Sequence, residues 1–180
     1  QAFATQPAEL IQLFHWLREQ PLVIDEPQFR VVHACWDDGA VAELKTQSNN
    51  CMDNTALAGY RTTGSELYYA MDLIIAGCAH TPRSKPCPDG YFTDRDRIGW
   101  WRAGAAFIHP ESVAPALKHH RRYPADAPPV FYGHYAMTGT PVLQAPNQAC
   151  VDYAAAYGGR LVAYRHTPGE SLAESRFVGV

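Results

Sequence analysis

No run of apolar residues in this chain approaches the ~20 needed to cross a bilayer. The opening Gln1-Ala2-Phe3-Ala4 lacks the basic start and long apolar stretch of a secretory signal. Charge is also scarce: charged residues make up 18% and the net charge is −3. Bulk electrostatics therefore draw the chain toward neither nucleic acid nor an anionic membrane, and neither partner is expected. The five cysteines, Cys35, Cys51, Cys78, Cys87 and Cys150, are odd in number and include no Cys-x-x-Cys pair. That argues against a disulfide framework and for a reducing, cytoplasmic location. Cys78-x-His80 with Cys87 lacks a fourth zinc ligand at the usual spacing. A glycine-rich phosphate loop, a Ser/His/Asp order and a paired-carboxylate motif are all missing. So is an initiator methionine, and the chain reads as if it begins in mid-protein or after processing.

What is present is an ordinary core-forming composition. Hydrophobic residues are 47% of 180, enough for one domain over 1–180. Leu10, Leu13, Phe14 and Leu17 recur at helical spacing between Pro7 and Pro21, which predicts a helix with one apolar face. Leu22-Val23-Ile24 and Phe29-Arg30-Val31-Val32 read as strands joined by a turn at Asp25–Gln28. Asp37 can cap a short helix over 39–45, and Ser65 one over 65–78. Between them, 46–64 reads as polar and irregular, and 46–97 as a helical and loop insert. Residues 98–102 read as an aromatic strand, 109–129 as a proline-rich connection, and the tail as strands at 130–132, 148–153, 160–164 and 176–180. No internal repeat is found. Helices and mostly antiparallel strands in separate runs predict an α+β fold with sheet packed on sheet.

Eight histidines are many for this length. Two share a local form. Val31-Val32-His33-Ala34 and Phe131-Tyr132-Gly133-His134 each carry an apolar strand into a histidine beside a small residue. A strand end is a rigid platform, and imidazole suits zinc, iron or manganese. His33 and His134 are therefore candidate ligands of one ion, although a strand-closing histidine is also a common hydrogen-bonded structural residue.

The stretch Pro128–His134, then Thr140-Pro141, then Ala145-Pro146-Asn147-Gln148-Ala149-Cys150-Val151-Asp152-Tyr153, then Tyr157-Gly158-Gly159-Arg160-Leu161-Val162-Ala163-Tyr164 resembles the closing segment of calcineurin-like metallophosphoesterases. The likeness is to bacterial serine/threonine-phosphatase-like and dinucleoside-tetraphosphatase-like members. Arg30-Val31-Val32-His33-Ala34-Cys35-Trp36 resembles the family's preceding histidine motif. The resemblance covers roughly 10–36 and 98–165. It implies a β-sandwich flanked by helices, of which this chain is the C-terminal half. It also implies a dinuclear centre of two divalent ions (Mn, Fe, Zn or Ni) with His33 and His134 on the second ion, and hydrolysis of a phosphate ester or phosphoanhydride. The substrate would be a phosphorylated small molecule, a nucleotide or a phosphoprotein. Where some members carry a further histidine, this chain has Ala136. The family's Asp-x-His, Gly-Asp-x-x-Asp-Arg and Gly-Asn-His-Glu motifs are not in this sequence, so the resemblance implies a missing N-terminal half that supplies the remaining ligands. The alternative is a non-catalytic relic or binding module of the same fold.

Other residues carry weaker expectations. Trp100-Trp101-Arg102 matches a place where related phosphatases present a guanidinium to substrate phosphate, which makes Arg102 a candidate catalytic residue. Two core tryptophans beside a solvated arginine is the plain alternative. Asp37 is a candidate hydrogen-bond partner of a ligating imidazole, with helix capping the stronger reading. Asn147 and Asp152 are candidates for ordering the loop under the cleft. His119-His120-Arg121-Arg122 reads as a solvated basic loop, His15 as structural, and His80 and His109 carry no pattern.

Overall fold

The computed structural model describes residues 7–80, 85–86, 92–93, 96–97, 99–101 and 123–180. The chain opens with α1 (Pro7–Glu19), followed by the hairpin β1 (Val23–Glu26) and β2 (Phe29–Val32). Three helices follow: α2 (Asp38–Gln47), α3 (Asn54–Arg61) and α4 (Glu66–Ala76). Short two-residue strands β3 (Ala79–His80), β4 (Lys85–Pro86), β5 (Phe92–Thr93) and β6 (Asp96–Arg97) pair as β3–β6 and β4–β5. The C-terminal part contributes β7 (Val130–Tyr132), β8 (Gln148–Cys150), β9 (Asp152–Tyr153), β10 (Arg160–Tyr164) and β11 (Phe177–Gly179). The fold is α+β. Among the described residues, no helix is long and apolar enough to cross a membrane.

The main sheet has the order β1-β2-β7-β8. β1 and β2 are antiparallel, whereas β2–β7 and β7–β8 are parallel. The expectation of mostly antiparallel pairing therefore fails for this sheet. Parallel neighbours require long crossovers, and the chain between β2 and β7 holds α2, α3 and α4. All three residues of β7 are buried. Val130 and Tyr132 face one side, with Val23, Val32, Leu44, Met71, Ile74 and Trp100. Phe131 faces the other, with Ala149, Leu172, Phe29, Val31, Tyr164 and Phe177. A strand covered on both faces reads as a continuous apolar run, which is what Val-Phe-Tyr is. The three-stranded sheet β11-β10-β9 meets the second face through Tyr164, whose ring centre lies 5.1 Å from that of Phe131.

The helices start where a side chain can take an unpaired backbone N–H. Asp37 accepts from Ala40, Asp53 from Ala56 and Ser65 from Tyr68. The Asp53 cap starts α3 inside the stretch 46–64 read from sequence as irregular. α4 lies within the segment set apart as an insert, yet it buries Leu67, Ala70, Met71, Leu73 and Ile74 in the main core.

Two further expectations are corrected. α1 forms as predicted, but none of its residues is buried, and Leu13, Phe14 and Leu17 are exposed. His15 on this helix is exposed as well. Residues 99–101 form a turn rather than a strand; Trp100 and Trp101 are buried in it.

Two polar features of the sheet give measurable consequences. Asp25 on β1 accepts from Arg30 at 3.0 Å and from Lys45 at 2.6 Å, which ties the hairpin to α2. Partial burial would raise its carboxyl, but hydrogen bonds from Lys45 and Arg30 outweigh this and hold it below its ordinary value. A depressed carboxyl contributes stability that is present above the unfolded value near pH ~3.9 and is lost as pH falls through the lower folded value. Asp25→Asn is expected to lower the melting temperature near neutral pH by about 2–4 °C, the worth of a ~1 kcal/mol ion pair. It should also flatten the acid limb of the stability curve below pH ~4, which thermal melts across pH would record. The Tyr132 hydroxyl is buried with no hydrogen-bond partner among the described residues, and burial pushes the phenol far above its ordinary value. Deleting an unsatisfied buried hydroxyl removes a desolvation penalty. Tyr132→Phe should therefore melt at or above the wild-type temperature.

Candidate functional site

The parallel register of β2 and β7 sets Val31 beside Phe131, and the pairing continues past both strands. The Gly133 N–H donates to the His33 carbonyl at 3.0 Å. His33 follows β2 directly, and His134 lies two residues beyond β7. Both side chains stand at the C-terminal edge of the sheet. His33 Nε2 is 3.3 Å from His134 Nδ1, with ring centres 5.0 Å apart and planes inclined by 51°. His33 is exposed and His134 half-buried, so the pair faces an open edge.

The loop that presents His134 is held in an uncommon backbone conformation. His134 has φ +67° and Ala136 φ +41°, the left-handed region that costs a non-glycine residue about 1 kcal/mol or more. Several contacts maintain it. Tyr135 N–H donates to Gly133 O at 2.9 Å, and Met137 N–H to Asp152 O at 2.9 Å. The Tyr135 hydroxyl accepts the Cys78 N–H at 2.9 Å, and its ring packs edge-on against Trp101 at 4.8 Å. Gly77 makes this possible. It closes α4 with φ +80°, and a Cβ there would strike the Tyr135 hydroxyl and ring. Ala34, next to His33, donates its N–H to Ile74 O of α4 at 2.9 Å. The C-terminal end of α4 is thus anchored to the neighbours of both histidines.

Gly133 is not small for steric reasons. A Cβ there would meet Asp152 Cβ and His33 O at an ordinary 3.6 Å. A cleft of about 390 Å³ opens beside His33, lined by Leu22, Ile24, Val31, Phe131, Gly133 and Val151 among others. Its walls are mostly apolar, and His33 is among the lining residues.

The other candidates divide by position. Asp152 lies at the same edge as the histidines; its Oδ1 accepts the Ala154 N–H at 2.9 Å and supports the left-handed Ala154. Asp37 caps α2 through the Ala40 N–H at 2.9 Å. Asn147 precedes β8 and pairs by its backbone with Val130, so it sits at the opposite end of the strands from His134. There its amide donates to Pro124 O at 2.8 Å and Ala127 O at 3.0 Å, ordering that loop. Trp100 is a core residue whose Nε1 donates to Ala34 O at 3.1 Å. Arg102, His109 and His119–Arg122 lie outside the described residues, as does the side chain of His80.

Among the described residues, no group of three or more His, Cys, Asp or Glu side chains converges to hold a metal ion. Sequence reasoning missed Gly77, Tyr135 and the left-handed loop. Gly77 directly follows an apolar helical run, the position where a closing glycine is common, and that signal was available. Comparison of the chain with protein-family models, curated proteins and solved structures gives no match. What the structure defines is an α+β chain with an imidazole pair at the open end of two parallel strands.

Gly77→Ala combines a disfavoured φ with a clash against Tyr135. It is expected to cost about 1–3 kcal/mol, read as a drop in melting temperature. It should also disturb the His134 ring resonances in NMR spectra, because Tyr135 must shift.

Proposed function

We propose that this chain contributes one metal-binding half of a calcineurin-like metallophosphoesterase centre, with His33 and His134 as ligands of one divalent ion. The reading combines the motif resemblance with one geometric observation: two imidazoles separated by 101 residues bring nitrogens to 3.3 Å. Two ligands placed ~2.0–2.1 Å from one tetrahedral ion stand about 3.3–3.4 Å apart. The donor chemistry suits Zn, Mn, Fe or Ni, so the two residues fit an ion of this kind. They do not complete its coordination, and the family's bridging carboxylate and remaining ligands would have to come from a segment carrying its other motifs.

Within that reading, bound ions would supply Lewis-acid polarisation of a phosphoryl oxygen and acidify a water. The chain's own part is to hold two imidazoles in fixed orientation. β2 and β7 set the positions, the left-handed loop sets the direction of His134, and the bond from Gly133 N–H to His33 O sets the spacing. Asp152 braces the same edge through the Met137 and Ala154 backbones. Arg102 is proposed to pair with substrate phosphate, as a planar guanidinium does. The layering of the three-stranded sheet on the main sheet is read as part of the family's sandwich. The substrate class is a phosphate ester or phosphoanhydride.

Calorimetric titration of the 180-residue chain with Zn²⁺ or Mn²⁺ tests the assignment. A single weak site is expected, with affinity falling at least about tenfold in His33→Ala and again in His134→Ala. Asn147→Ala, which alters the far end of the strands, should leave it unchanged. Metal affinity indifferent to both histidine variants would refute the reading.

A further inference from the structure

The structure brings two cysteines together in segments that adjoin the histidine pair. Cys35 lies two residues after His33, in the connection from β2 to α2. Cys78 follows Gly77 at the end of α4. Their sulfurs are 2.9 Å apart across 43 residues of chain, and both residues are 0% exposed. Both are free thiols in this structure, in a contact where either sulfur can donate, and about an ångström of closer approach would bring them to the ~2.0 Å of a disulfide. Hydrogen bonds fix the backbone next to Cys35 and at Cys78. Ala34 N–H is bonded to Ile74 O, Trp100 donates to Ala34 O, and Tyr135 accepts the Cys78 N–H. The odd cysteine count and the absence of a Cys-x-x-Cys pair argue in the sequence against a disulfide framework and for a reducing location; neither signal registers a pair brought together across 43 residues.

We infer that Cys35 and Cys78 form a structural disulfide that clamps the β2–α2 connection to the end of α4. In the bond-forming reaction, both thiols give up their protons and two electrons to a low-molecular-weight disulfide such as oxidised glutathione. One protein S–S bond forms, one glutathione S–S bond breaks, and two glutathione thiols are released. Because neither sulfur is reachable from solvent, the bond forms as the chain folds and is then protected from exchange. The loop it closes is long, which is where cross-linking restricts the unfolded chain most. The clamp is independent of any metal.

The test is to refold the chain with a mixture of oxidised and reduced glutathione and, in parallel, with excess reductant. The oxidised sample should lose the mass of two hydrogens, and proteolytic mapping should find Cys35 joined to Cys78. Its melting temperature should exceed that of the reduced sample by about 10 °C. Cys35→Ala and Cys78→Ala should each abolish the mass change and the added stability, whereas Cys51→Ala should keep both. If either variant fails to fold, the peptide map of the wild-type chain still decides. Recovery of both residues as alkylatable thiols after oxidative refolding, or of a bridge from either to Cys51, Cys87 or Cys150, would overturn the assignment.

Discussion

The parallel pairing of β2 with β7 is the constraint on which the rest depends. It joins two segments about a hundred residues apart, and a single bond beyond the strands, from Gly133 N–H to His33 O, carries the register to the sheet edge. A one-residue slip would turn the side chains of β7 to the opposite faces. Val130 and Tyr132 would leave the helical core, and Phe131 would leave its partners Tyr164 and Phe177. Packing on both faces therefore specifies the register, and the register brings the two imidazoles together.

α4 is the second half of this arrangement. Its apolar residues fill the core under the sheet, and its last turn reaches the loops beyond both strands. Ile74 O receives the Ala34 N–H, Gly77 leaves space for Tyr135, and Cys78 meets both Tyr135 and Cys35. The left-handed His134 and Ala136 carry a conformational cost that these contacts sustain. The contacts that sustain this loop also fix the position of His134 at the sheet edge.

The apolar surface is unevenly distributed. β7 is covered on both faces, whereas α1 leaves Ile11, Phe14, Trp16 and Leu17 exposed. α1 is tied to the body by Arg18, which donates to Met52 O and Asn54 Oδ1. Periodicity correctly indicates that such a face exists, since spacing sets which side chains share a side of a helix. It carries no information on whether anything packs there.

Local signals were legible in the sequence: the caps at Asp37 and Ser65, the hairpin strands, β7 and β10, and the two histidines closing apolar strands. Each depends on residues within a turn or two of one another. The parallel order β2-β7-β8, the place of α4 in the core, the assignment of Asn147 to the far end of the strands and the meeting of Cys35 with Cys78 were not. Each is settled by contacts between segments far apart in the chain, where local preference is silent. The sequence by itself determined that His33 and His134 lie just past the ends of apolar strands. Only tertiary structure decided that those strands are neighbours, because a buried register is chosen by what packs on both of its faces.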